Sequence, residues 1–234
     1  MEGRAYKPEE LLGPLNEVES RNAPEVLYAA GRVKLLHRQP RVSVIGSRES
    51  TSEGLEEARG IAACIVCRHG VVVSGLAKGV DTAAHRSAME HGGDTIAVLG
   101  TPMDRAYPKE NEELQRELME RQLVLSEFSL KEPTSRKNFV LRNRTMALVS
   151  HASIIVEAEE ASGAQHQGWE ALRLGRILLL PQRLVSAGFA WPRKMLHYGA
   201  LVYSGISNLE PLLDEFLPAS PVPSAVDELG EPRF

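Results

Sequence analysis

Cysteine is scarce in this chain. Cys64 and Cys67 are the only two among 234 residues, too few for a disulfide framework and in keeping with a reducing compartment. They form a lone C-x-x-C within Ile61–Arg68. One reading is a redox pair or half of a metal site. There is no second cysteine pair and the motif falls in mid-helix, so we read two small apolar residues on a helix that packs on a sheet. No apolar run approaches the roughly 18 residues of a membrane span, and no membrane partner is expected. The opening MEGRAYKPEE has no apolar h-region, so no secretory leader is expected and the chain is placed in the cytoplasm. No GxGxxG follows a strand and there is no GxxxxGK[ST], which argues against ordinary dinucleotide and P-loop sites. GxSxG, HExxH and cysteine-rich clusters are missing as well. The six histidines other than His85 match no metal spacing, and neither a metal nor a cofactor is expected.

What is present is enough for a core. Hydrophobic residues make up 43% and charged residues 25%, ordinary values for one large domain or one domain with a small appendage. The net charge of −4 speaks against indiscriminate polyanion binding, but its distribution is uneven. From Leu209 to Phe234 stand Glu210, Asp214, Glu215, Asp227, Glu228 and Glu231 against Arg233 alone. The remainder is balanced, so any nucleic-acid contact must come from a local patch. Arg136, Lys137, Arg142 and Arg144 supply one, with no acid among residues 136–144.

Short, continuously apolar runs at 42–45, 71–73, 95–99, 123–126, 153–156 and 177–180 read as strands buried on both faces. Helical patterns at 51–69, 81–91, 109–121, 139–150 and 164–174 alternate with them. This predicts an α/β fold with a doubly wound, mostly parallel sheet, an extended Rossmann-like architecture. Residues 1–40 read as a short helical appendage, with helices around Pro8–Leu15 and Pro24–Leu36. Residues 41–216 form the main domain. A further helix beyond Pro181, a short strand near Leu201–Tyr203 and a helix near Asn208–Phe216 complete it. Residues 217–234, rich in proline and acid, read as a mobile tail.

In such sheets ligands sit beyond the carboxyl ends of the strands. Two glycine turns fall there. Val71–Val73 runs into Ser74-Gly75-Leu76-Ala77-Lys78-Gly79 and then a helix start. Free N–H groups and the helix dipole suit an anion, glycines allow close backbone approach, and Lys78 adds a point charge. Val42–Ile45 runs into Gly46-Ser47-Arg48, and Ser50 with Glu53 has the spacing of a capping box. Arg48 is read as a two-pronged phosphate grip. Asp81 and His85 share a helix face at i,i+4. With no nucleophile nearby, they are read as loop-shaping rather than catalytic. Arg142 and Arg144, at i,i+2, do not share a face. One grips a phosphate while the other pairs with an internal acid; Arg142 is assigned to a phosphate beside Arg48 and Lys78, Arg144 lies in the same DNA-binding segment, and Asn143 is a cap or a base or sugar contact. Phe139 and Trp169 are each read first as core residues and second as base-stacking rings.

Six segments together resemble one family, the bacterial DNA-processing protein DprA, also called Smf. They are VSVIGSR (42–48), VVVSGLAKGVDTAAHRSAMEHGG (71–93), TIAVLGTPMDRAYPKEN (95–111), LSEFS (125–129), NFVLRNRTMALVS (138–150) and IIVEAEEASGA (154–164). The resemblance covers residues 40–185 in the family's order. It implies a Rossmann-like domain that binds single-stranded DNA, helps load RecA in DNA uptake or recombination, acts as a homodimer and is not an enzyme. It also places the Arg142–Arg144 segment at the DNA pocket. Three departures stand out. Val140 replaces a usual proline, TPMDRAYP replaces a glycine–cysteine–glycine start, and Ala164-Gln165-His166 replaces a serine and a Thr-Ala pair. No counterpart of the family's frequent winged-helix domain is expected. The rival reading is a nucleotide phosphoribohydrolase of the lysine-decarboxylase-like (LOG) family. Residues Gly163 to Glu170 lack that family's paired glycines and threonine, although Glu170 stands near the expected place. A small-nucleotide sensor is a third reading.

Overall fold

Val71 and Val73 pack on one side of a sheet and Val72 on the other, the period-2 alternation of a strand covered on both faces. The computed structural model describes residues 3–160 and 162–217. The chain opens with β1 (Arg4–Tyr6), α1 (Pro8–Leu12), α2 (Glu17–Asn22), β2 (Leu27–Gly31) and a 3-10 turn (Val33–His37). The alternating part follows as β3 (Arg41–Ile45), α3 (Ser52–Cys67), β4 (Val71–Ser74), α4 (Val80–Glu90) and β5 (Asp94–Leu99). A 3-10 turn (Lys109–Asn111) leads into α5 (Glu112–Arg121), then β6 (Leu123–Ser126), α6 (Arg136–Val149), β7 (Ala152–Ile155) and α7 (Gly163–Arg173). The last elements are β8 (Ile177–Pro181), α8 (Gln182–Ser186), α9 (Ala190–His197), β9 (Leu201–Tyr203) and α10 (Ile206–Phe216).

Nine strands form one sheet in the order β1-β2-β6-β5-β4-β3-β7-β8-β9. From β6 to β9 every pairing is parallel. From β3 the chain winds outward through β4, β5 and β6, then returns through α6 to place β7 on the other side of β3. The order therefore reverses between β3 and β7, the topological switch point where α/β sheets open a crevice. On one face α3, α4 and α10 bury Val42, Val44, Val72 and Ile154, and α5 covers Ala97 and Val124. On the other, Met146 of α6 and Trp191 and Met195 of α9 pack on Val71, Val73, Ile155 and Leu178. The doubly wound, mostly parallel Rossmann-like fold expected from the strand–helix alternation is the fold observed.

One expectation is corrected. No helix forms over Pro24–Leu36; that stretch holds β2 and a 3-10 turn. β2 pairs antiparallel with β6, Ala30 opposite Val124, and β1 pairs antiparallel with β2. Arg32 then donates to Asp94 at the start of β5 at 2.6 Å, and Arg38 pairs with the same carboxylate. The N-terminal residues thus add two strands to the common sheet, while the helix expected around Pro8–Leu15 forms as α1 (Pro8–Leu12). Leu27-Tyr28-Ala29-Ala30 reads as either element because a short apolar run carries no period of its own. The expected tail, apart from Leu217, lies outside the described residues. Among the described residues no helix is long and apolar enough to cross a membrane.

Candidate functional site

The turn after β3 is held from three sides. A Cβ at Gly46 would press on Val80 and on the Glu157 carbonyl, so only glycine lets the chain pass there. Ser47 O accepts from Val80 N at 3.3 Å, and Ser47 Oγ accepts from Glu49 N at 3.1 Å. Arg48 then emerges exposed, with no ion pair among the described residues. Its guanidinium lies 5.5 Å from the Phe139 ring centroid and 5.9 Å from that of Tyr107. The two rings are 5.1 Å apart and tilted by 50°. Cation–π attraction holds Arg48 over them without neutralising it.

The expected capping box at Ser50 and Glu53 is not formed. Thr51 is the cap of α3, its Oγ1 accepting from Gly54 N at 3.1 Å. Ser50 Oγ instead donates to Glu157 Oε2 at 2.5 Å, and Thr51 N and Oγ1 donate to the same oxygen at 3.1 Å. The carboxylate that wins comes from the loop after β7, a long-range partner that local spacing does not reveal.

The second turn is built around Asp81. Its Oδ2 accepts from Gly75 N at 3.2 Å and Ala77 N at 3.3 Å, while Ser74 Oγ donates to Val44 O at 2.7 Å. Gly79, at φ +74°, caps α4 and passes so close to Ser47 O and Arg48 O that no side chain fits. Asn111 Nδ2 ties the turn from outside, donating to Leu76 O at 2.9 Å and Thr82 Oγ1 at 2.8 Å. Burial raises the Asp81 pKa, opposed by the Arg142 charge and by the two N–H bonds. His85 is fully buried, and its Nδ1 lies 2.7 Å from Thr95 Oγ1. The Thr95 hydroxyl proton goes to Val72 O at 2.9 Å, so His85 Nδ1 carries the donated proton. Burial pushes the His85 pKa down to about 3, leaving a neutral ring beneath the turn.

The basic residues of α6 divide by environment. Arg142 is 6% exposed. Its Nη1 donates to Gly75 O at 2.7 Å and Val98 O at 3.2 Å, and its Nε to Asn143 Oδ1 at 3.1 Å. A Cβ on Gly75 would overlap its guanidinium. Asn143 Nδ2 donates to Gly163 O at 3.2 Å. Arg144 reaches Glu170 at 3.4 Å, and Arg173 holds the other oxygen of that carboxylate at 3.3 Å. Lys78 Nζ pairs with Glu110 at 2.6 Å on an exposed surface. Lys109, Lys131, Arg136 and Lys137 are exposed and make no ion pair among the described residues.

These pieces surround a cleft of about 330 Å³ at the β3/β7 switch point, within the range of small-ligand sites. Arg48, Phe139, Arg142, Asn143 and the start of α7 at Ser162-Gly163 line it. Glu170 is not among its lining residues. The geometry defines a doubly wound α/β binding domain whose cleft meets a cationic, aromatic rim. Tyr107 completes the ring pair and Glu157 completes the first turn; sequence spacing pointed to neither role.

The particular family follows from the chain's relatives. Residues 7–214 match the family described as DNA recombination-mediator protein A, and the chain belongs to it. DNA processing protein DprA of Streptococcus pneumoniae is 36% identical over 194 residues, covering 82% of this chain and 68% of that protein. Its crystal structure superimposes with a TM-score of 0.76 at 31% identity, over 92% of this chain and 74% of that one. Protein Smf of Synechocystis is 40% identical over 146 residues, 60% of this chain and 36% of that protein. DNA processing protein A of Helicobacter pylori, studied for its single-stranded DNA binding mode, has a TM-score of 0.76 at 26% identity. It covers 92% of this chain and all of that one. The chain thus spans between one third and about two thirds of the length of these two curated relatives.

Proposed function

We propose that the protein binds single-stranded DNA along the strand-end rim, in the manner of the DprA/Smf family. The observation that carries this reading is Arg48, an exposed guanidinium with no ion pair among the described residues, over two partly exposed rings at the mouth of the cleft. Rings offer bases a face to stack on, and cations offer phosphates a partner; together they suit a single strand of any sequence. Lys109, Lys131, Arg136 and Lys137, which make no ion pair among the described residues, extend the track. Gly46, Ser47, Ser74, Gly75, Gly79, Asp81, His85, Asn143 and Arg142 shape the cleft. Lys78 is a secondary phosphate contact, because Glu110 competes for it. Arg144 holds Glu170.

The protein works by binding, not turnover. Two arginines hold Glu170, which is not among the residues lining the cleft, so the carboxylate that the phosphoribohydrolase reading needs is engaged elsewhere. Family membership supports a homodimer in the cytoplasm that passes its strand to RecA.

Arg48→Ala and Lys78→Ala test the site by fluorescence anisotropy with a labelled oligothymidine. Arg48→Ala weakens binding about tenfold, the share of one charge-assisted contact. It also lowers the log–log salt slope by about 0.7, one phosphate's part. Lys78→Ala does the same to a smaller degree. Unchanged affinity and slope in both variants contradict the proposed track.

A further inference from the structure

Glu157 stands beside the single-strand track, where a carboxylate should repel phosphate. Its charge is already spent inside the protein. Ser50 Oγ, Thr51 N and Thr51 Oγ1 all converge on Oε2, at 2.5, 3.1 and 3.1 Å. Thr51 passes the connection on to Gly54 N in the first turn of α3, so the carboxylate also faces the positive end of that helix dipole. Gly54 makes room for it: a Cβ there would overlap Glu157 Oε2. The backbone of the same loop is fixed too. Val156 N donates to Ile45 O at 2.9 Å, and Glu157 O sits under Gly46.

Glu157 therefore holds the far end of the β3 turn at Ser50–Thr51 through its carboxylate, while at the near end Val156 N bonds Ile45 O and the Glu157 carbonyl packs close against Gly46. Only Ser47, Arg48 and Glu49 lie between. Gly79 closes the remaining side against Ser47 O and Arg48 O. Arg48 makes no ion pair of its own among the described residues, so its aim over Tyr107 and Phe139 depends on this backbone. From this geometry we infer that Glu157 is the positioning residue for Arg48, acting on single-stranded DNA through that arginine rather than by contact. The inference rests on the single-strand reading above.

A double-mutant cycle on the full chain, with labelled oligothymidine as probe, tests it. Glu157→Ala weakens binding about as much as Arg48→Ala does and lowers the salt slope by the same share, about 0.7. The double variant is no weaker than Arg48→Ala alone. Glu157→Gln, which keeps an acceptor for Ser50 and Thr51, recovers most of the affinity. In the Lys78→Ala background, by contrast, the Glu157→Ala loss appears in full. Ser50→Ala removes one arm of the grip and keeps the test open should Glu157→Ala fold poorly. It gives a smaller loss that likewise vanishes in the Arg48→Ala background. Independent losses at 48 and 157, or tighter binding by Glu157→Ala, overturn the assignment of Glu157 while leaving the track intact. No effect of Arg48→Ala overturns the assignment of Glu157, and no effect of Arg48→Ala and Lys78→Ala alike overturns the track as well.

Discussion

Arg48 and Arg142 border the same cleft in opposite surroundings. Arg48 is exposed and makes no ion pair among the described residues, whereas Arg142 is buried and spends Nη1 on Gly75 O and Val98 O beside the Asp81 carboxylate. Their substitutions should therefore separate cleanly. Removing Arg142 leaves the buried Gly75 and Val98 carbonyls without their donor, a loss of about 1–3 kcal/mol for each unsatisfied group. Thermal denaturation should show a large drop for Arg142→Ala and almost none for Arg48→Ala; equal melting temperatures contradict the division. Arg48 was legible because a buried strand ending in Gly-Ser-Arg puts the arginine at a strand end. The division of labour within Arg142-Asn143-Arg144 was only half legible. Spacing separates their faces, but which face meets Gly75 depends on how α6 crosses the sheet. Glu157 was missed because its partners lie about a hundred residues away in sequence.

At the scale of elements, the strand–helix alternation was readable because each apolar run was short, continuous and bounded by turns. β6 was expected at 123–126 and forms as Leu123–Ser126. The helix expected over 139–150 begins earlier, at Arg136, with two cations in its first turn. That placement opposes the helix dipole, and it concentrates positive potential beside the rings. β1 and β2 were not legible, since antiparallel pairing onto a parallel sheet leaves no local signature. Their role gives a prediction. Deleting residues 1–31 strips the partner from β6 and uncovers its edge, along with the fully buried site of Leu27. Unpaired apolar edges aggregate. The truncated chain should appear as aggregate in size-exclusion chromatography, and a monodisperse folded product would show that the N-terminal strands are dispensable.

For the whole molecule, a net charge of −4 means that binding must be local. Five cations that make no ion pair among the described residues stand over the rings or on the segments that carry them: Arg48 over both, Lys109 just after Tyr107, and Lys131, Arg136 and Lys137 ahead of Phe139. A single strand can lay its bases on those rings while its phosphates meet the cations. In a duplex the bases are stacked on one another and unavailable, so phosphate attraction alone remains. The most direct measurement is a titration of the intact protein with a labelled oligothymidine and with a duplex of equal length, each at several salt concentrations. The account predicts markedly tighter binding of the single strand, with affinity falling as salt rises and persisting across base compositions. Equal affinity for duplex and single strand, or no saturable binding of either at low salt, would contradict it.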